Sequence, residues 1–211
     1  MAVLVVFDVG GTLIGAKDMF HEAALRLGNT NLSSDIRDEF WRIISNNYSF
    51  SEEQALILSS EVISEREGLD ASSVAGLMHD VFITNSTLFP FAFDVLSRLK
   101  NEGVHLVIAS DSDNDLLIEE LRKHSVLDFF DDVVTSSIAQ SYKPSDLFVN
   151  YLKSVLEKYN YDELFFVGDS DVDILTAKKI GAKSVFFSKN SRHKLADFNI
   201  SSLDELNKIV L

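Results

Sequence analysis

The sequence predicts an α/β protein, a doubly wound parallel sheet with a helical unit inserted after its first strand. Three observations carry that expectation. Apolar, β-branched runs recur along the 211 residues with little polar alternation, as in strands covered on both faces. Amphipathic stretches of helical length separate them, the alternation expected of a parallel sheet. One long interval, residues 16–88, keeps only the helical periodicity.

The first run, VLVVFD, ends at Asp8 and follows no basic head, so it reads as a buried strand and not as a leader peptide. After the glycine-rich stretch FDVGGTLIG the pattern turns helical four times. Phe20, Ala23, Ala24 and Leu27 share one face and Gly28 closes it; Ile36, Phe40, Ile43 and Ile44 mark a second helix. A third opens on the capping box Ser51-Glu52-Glu53-Gln54 and stops at Gly68, and a fourth carries Val74, Leu77, Met78, Val81 and Phe82. No strand is expected between Gly15 and Leu88. The segment STLFP then leads back to the α/β rhythm: a helix through Leu96 and Leu99, the strands HLVIAS and DVVTSS, a helix over Leu147 to Leu156, the strand LFFVGD, a helix from Ile174 to Ile180 before Gly181, and the strand SVFFS. Ser202 and Glu205 form a capping box that opens a last helix. The division that follows is a core of residues 1–15 and 89–211 and a helical cap of residues 16–88, hinged over short joints because the chain has only two prolines and no low-complexity linker.

Composition narrows the function classes. A net charge of -14 repels phosphate backbones, which argues against nucleic acid as a partner. No apolar run is long enough for a bilayer. With no cysteine there is no disulfide and no thiolate metal site, and a reducing, cytoplasmic setting is expected.

Polar residues stand at the C-terminal ends of the apolar runs, the edge where open α/β sheets bind ligands. Asp8 follows the first run, Ser110 and Asp111 the second, and Asp169 the run LFFVG. Asp169, Asp171 and Asp173 bring three negative charges into five residues, a repulsion that a hard divalent cation such as Mg²⁺ would relieve. The same stretch, Ser170 to Asp173, also reads as a helix-capping box. An EF-hand fits neither DSDND nor DSDVD, because Leu116 or Ile174 occupies the place of the required glycine. Lys143, in a loop before Pro144, is placed to reach the strand ends and neutralise charge there.

These residues, in this order, resemble the four motifs of the haloacid dehalogenase-like hydrolases, with a Rossmann-like core and a helical C1 cap between the first and second motifs. The resemblance implies Asp8 as the nucleophile that forms an aspartyl-phosphate. It implies Mg²⁺ held by Asp8, the Gly10 carbonyl and Asp169, with Asp173 supporting metal and lysine. It implies that Ser110 and Lys143 hold the transferring phosphoryl group and that Thr12 braces the loop, and a phosphatase acting on a small phosphorylated metabolite is the expected activity. Asp111 is a further candidate for substrate contact, as are Lys17, Asp18, His21 and Arg42 of the insertion.

The chain departs from the family pattern at Gly10, where the phosphatases carry the aspartate that acts as general acid and base, a contribution of roughly two to four powers of ten. Three other readings follow from that departure. A 2-haloacid dehalogenase needs no acid there, and Arg42 in EFWRII invites comparison with the cap arginine those enzymes use near that place, although GDSDVD is more acidic than the dehalogenase motif. A non-catalytic phospho-ligand or protein-binding member of the fold is another. DVGGT also resembles the phosphate hairpin of actin-like sugar kinases, which would require a return strand where helix is expected.

Overall fold

A computed structural model of the chain describes residues 2–16, 19–46 and 52–211. Strand β1 (Val3–Phe7) leads through the glycine loop to a short strand β2 (Ile14–Ala16). Four helices follow: α1 (Met19–Arg26), α2 (Leu32–Asn46), α3 (Glu52–Glu67) and α4 (Ala71–Asn85). Strand β3 (Ser86–Leu88) returns antiparallel to β2, pairing Ile14 with Leu88. The rest alternates: α5 (Ala92–Asn101), β4 (His105–Ser110), α6 (Asn114–Lys123), β5 (Asp132–Thr135), α7 (Ser136–Ala139), α8 (Asp146–Leu156), β6 (Glu163–Gly168), α9 (Asp171–Ile180), β7 (Lys183–Phe187) and β8 (Phe198–Ile200). A 3₁₀ turn, Leu203–Leu206, and the short helix α10 (Asn207–Val210) close the chain.

Six strands form one parallel sheet in the order β5-β4-β1-β6-β7-β8. The order runs outward in both directions from β1, so the helices cover both faces, and β1 shows the consequence in its own residues. Val3, Val5 and Phe7 enter one core with α5 and α6, while Leu4 and Val6 enter the other with Phe148 and Leu152 of α8. An apolar residue at every position satisfies both faces at once. The order reverses between β4 and β1 on one side and β6 on the other, which makes the C-terminal end of β1 the natural crevice.

Helices α1 to α4 bury their apolar faces against one another, through Phe20, Ala24, Ile36, Ile63, Val74 and Met78, and Leu116 of α6 joins that cluster. The side chains of Phe40, Ile44 and Phe82, and residue Ser51 of the expected capping box, lie outside the described residues. A clamp ties the exit of this bundle to the sheet layer: Lys123 Nζ on α6 donates to the carbonyls of Ile83, Thr84 and Ser86 at 2.6, 3.1 and 3.0 Å. Ile83 and Thr84 lie in the last turn of α4 and Ser86 is its C-cap, so the ammonium sits at the negative end of the helix, where Ser86 Oγ also donates to the Ile83 carbonyl.

Two expectations are corrected. Strands do occur between Gly15 and Leu88, at β2 and β3, but β2 pairs with β3 and not with β1, so the return strand of a sugar-kinase hairpin is not formed. The last segment is a 3₁₀ turn with a four-residue helix, although its capping box forms as expected, with Glu205 accepting from the Ser202 N–H at 3.0 Å. Among the described residues no helix is long and apolar enough to cross a membrane.

Candidate active site at the strand ends

Asp8 leaves β1 with its N–H bonded to the Val167 carbonyl of β6 at 2.9 Å, and its side chain is buried in the crevice between them. The loop that follows is fixed by backbone bonds: the N–H groups of Leu13 and Ile14 donate to the Val9 carbonyl at 2.9 and 3.0 Å. Thr12, fully buried, donates its hydroxyl to Asp8 Oδ2 at 3.0 Å. The other carboxylate oxygen, Oδ1, accepts from Lys143 Nζ at 2.7 Å.

Lys143 is 7% exposed and reaches two carboxylates at once, Asp8 Oδ1 and Asp173 Oδ1, each at 2.7 Å. Asp173 belongs to the first turn of α9, where its second oxygen, Oδ2, accepts from the N–H and the hydroxyl of Ser170 at 3.1 and 2.6 Å. The capping box and the charged cluster are therefore the same residue used on its two sides. Gly181, at φ +79°, ends that helix.

The loop after β4 contributes Ser110, Asp111 and Ser112. Ser136 Oγ holds it by donating to the carbonyls of Asp111 and Ser112 at 2.7 and 3.1 Å. Asp111 Oδ1 accepts the backbone N–H of Lys143 at 2.7 Å, which joins this loop to the lysine loop. Together with Asp8, Gly10, Lys143, Asp169 and Asp173 these residues line a cleft of about 240 Å³.

Four carboxylates share one ammonium here. Burial, assisted by the charges of Asp173 and Asp169, pushes the Asp8 carboxyl up to about 7 against the pull of Lys143. Burial also raises Asp111 and Asp169. Burial works against the Lys143 ammonium, but Asp8, Asp173 and Asp111 outweigh it and hold the amine above the ordinary lysine range. The excess negative charge is the condition that a cation would correct.

The donor set fits a hard divalent ion. Carboxylate oxygens of Asp8, Asp169 and Asp173 lie within 4.8 Å of one another, and no nitrogen or sulfur ligand is among them. Asp169 also has a cradle built for it: a Cβ on Gly11, at φ +84°, would overlap its carboxylate. At Gly10, by contrast, a Cβ meets nothing within 4 Å and φ is not positive. Backbone geometry and the Asp169 carboxylate require glycine at 11, whereas a Cβ at 10 is unobstructed.

Not every sequence candidate arrives in the cleft. Arg42, exposed on α2, forms a two-pronged ion pair with Glu39 and is not part of the lining. His21, exposed on α1, does not line the cleft either. Lys17 and Asp18 lie outside the described residues. Ser112 and Ser170 do line it and were not singled out for that; Ser170 was visible in the sequence only as a cap.

The haloacid dehalogenase-like hydrolase family model matches residues 5–187. The chain belongs to this family. Similar proteins include the phosphoglycolate phosphatase of Vibrio vulnificus, 30% identical over 134 residues, which span 60% of this chain and 58% of that protein. The glyceraldehyde 3-phosphate phosphatase of Methanocaldococcus jannaschii is 32% identical over 139 residues, covering 63% and 60%. The matches thus span about three fifths of the length of these curated relatives. The L-2-haloacid dehalogenase of Xanthobacter autotrophicus shares the fold, with a TM-score of 0.74 at 19% identity over 99% of this chain and 98% of that one.

Proposed function

We propose that the chain is a Mg²⁺-dependent phosphatase that hydrolyses a small phosphorylated metabolite through an aspartyl-phosphate on Asp8. The observation that carries this reading is the convergence of Ser110, Lys143 and Asp169 on one buried carboxylate, with Lys143 Nζ 2.7 Å from Asp8 Oδ1. Relatives named as phosphatases of small phosphorylated compounds support the substrate class.

Each residue has a task that its position supports. Asp8, held by Thr12 and Lys143, presents one carboxylate oxygen to phosphorus. Lys143 and the Ser110 hydroxyl meet the charge on the phosphoryl oxygens, which is where most of the stabilisation in phosphoryl transfer is needed. Asp173 lines the cleft with both oxygens engaged, and its part is to keep Lys143 charged and in place. Asp8, the Gly10 carbonyl and Asp169 would hold Mg²⁺, which when bound neutralises charge between nucleophile and phosphoryl group. Residues 16–88 would act as the cap that selects the metabolite and excludes bulk water.

Phosphate release from an activated aryl phosphate, titrated with Mg²⁺, tests this reading. Wild type should depend on the metal, and Asp8→Asn should lose turnover altogether. Halide release from a 2-haloacid, with no phosphate released from any ester, would instead establish the dehalogenase reading. Gly10 is the residue that favours that second reading, whereas Arg42 is engaged by Glu39.

A further inference from the structure

With Gly10 the usual proton donor is absent, and the cleft itself indicates a replacement. Among the described residues its titratable lining consists of Asp8, Asp111, Lys143, Asp169 and Asp173. Asp8 is the attacking group. Lys143 is clamped between two carboxylates that keep it protonated. Asp173 has both oxygens engaged, by Lys143 and by Ser170. Asp169 sits in the glycine cradle beside the nucleophile, as a metal ligand would. Of these, Asp111 remains without a task in the first chemical step.

We propose that Asp111 is the general acid and base of this enzyme, acting from the strand β4 side of the cleft in place of the residue missing at position 10. The proposal rests on the phosphatase reading above and extends it to the proton. Asp111 Oδ1 is tied to the Lys143 N–H at 2.7 Å, and among the described residues Oδ2 carries no hydrogen bond. The backbone of Asp111 is pinned by Ser136 at 2.7 Å, so the carboxyl is held in position before substrate arrives. Burial raises its affinity for the proton, the direction that a proton donor requires.

The proton balance closes over two steps. As an Asp8 oxygen bonds to phosphorus, the phosphorus–oxygen bond to the leaving group breaks, and the departing oxygen takes the Asp111 proton to leave as an alcohol. The Asp111 carboxylate then takes a proton from water as the water oxygen bonds to phosphorus. The Asp8–phosphorus bond breaks, inorganic phosphate leaves, and Asp111 is protonated again.

The test compares kcat/KM over a series of phosphate monoesters, from aryl to alkyl leaving groups, for wild type, Asp111→Asn, Gly10→Asp and the double variant in saturating Mg²⁺. Asparagine keeps an oxygen for the Lys143 N–H and lacks only the proton. Asp111→Asn should steepen the dependence on leaving-group pKa, reducing alkyl relative to aryl turnover by about 100-fold or more, and should remove the alkaline limb of the alkyl-ester pH profile. Gly10→Asp should restore alkyl turnover in the Asp111→Asn chain, a recovery possible only if that chain is folded. Equal losses on alkyl and aryl esters, or no loss on either, would overturn the assignment while leaving the phosphatase intact. A wild type that releases no phosphate even from the aryl ester would overturn both.

Discussion

Lys143 Nζ lies 2.7 Å from Asp8 Oδ1 across 135 residues of sequence, with both side chains nearly sealed from solvent. Removing the ammonium leaves the buried carboxylates of Asp8 and Asp173 facing each other without a counter-charge. Lys143→Met should therefore abolish turnover and destabilise the metal-free fold by about 3–5 kcal/mol, as expected when one partner of a buried pair is lost. Urea denaturation of both chains measures the difference; a change under about 1 kcal/mol would mean the cluster relaxes by protonation or by admitting water.

The response to Mg²⁺ should depend on pH, with a sign fixed by Asp8. Its carboxyl is raised from 3.8 to about 7 in the folded, metal-free protein, chiefly by burial. The folded chain thus keeps a proton that the unfolded chain has already lost. That contribution to stability is complete below about pH 4 and is lost as pH rises through about 7. A cation competes with the same proton, so the rise in melting temperature on adding Mg²⁺ should be small near pH 5 and grow toward pH 8. Thermal melts across that range, with and without metal, check it; a pH-independent increment would contradict it.

Adjacent glycines should behave differently. Gly11→Ala places a Cβ on the Asp169 carboxylate and forces alanine to φ +84°, two separate penalties. It should cost about 1–3 kcal/mol and weaken Mg²⁺ binding. Gly10→Ala meets open space at an ordinary φ and should change stability by no more than about 0.5 kcal/mol in the unfavourable direction. Paired chemical melts, with metal affinity read by calorimetry, distinguish the two.

The clamp on α4 gives a prediction away from the chemistry. Lys123→Met removes the ammonium that satisfies the carbonyls of Ile83, Thr84 and Ser86. Stability should fall by about 1–2 kcal/mol, and amide exchange should accelerate in the last turn of α4 before it does in the sheet. Uniform acceleration over the whole chain would show that the clamp has no local role.

The sheet was legible because its strands carry unbroken apolar runs: β1 is apolar throughout, and β4, β6 and β7 each bury a continuous run behind a polar first residue. Strands β2 and β3 were not, since three residues are too few to show a period, and β8 at the sheet edge has Asn199 at its centre. Much of the cleft was legible for a related reason, because Asp8, Ser110 and Asp169 each follow an apolar run directly. What sequence could not assign was partnership. That Asp173 serves Lys143 with one oxygen and Ser170 with the other depends on a loop 30 residues away. The fate of Arg42 depended on which way its helix faces, and a glutamate three residues earlier claimed it.

The open space around Gly10 also bears on how the chain came to be as it is. A glycine codon can become an aspartate codon through one base change, and here neither a positive φ nor an atom within 4 Å of the added Cβ stands against it. The ordinary phosphatase motif lies a single step away, along a path the fold leaves unobstructed. An aspartate there would add a fifth carboxylate to a cleft that holds four against one ammonium, so what opposes it is charge and not space at the backbone.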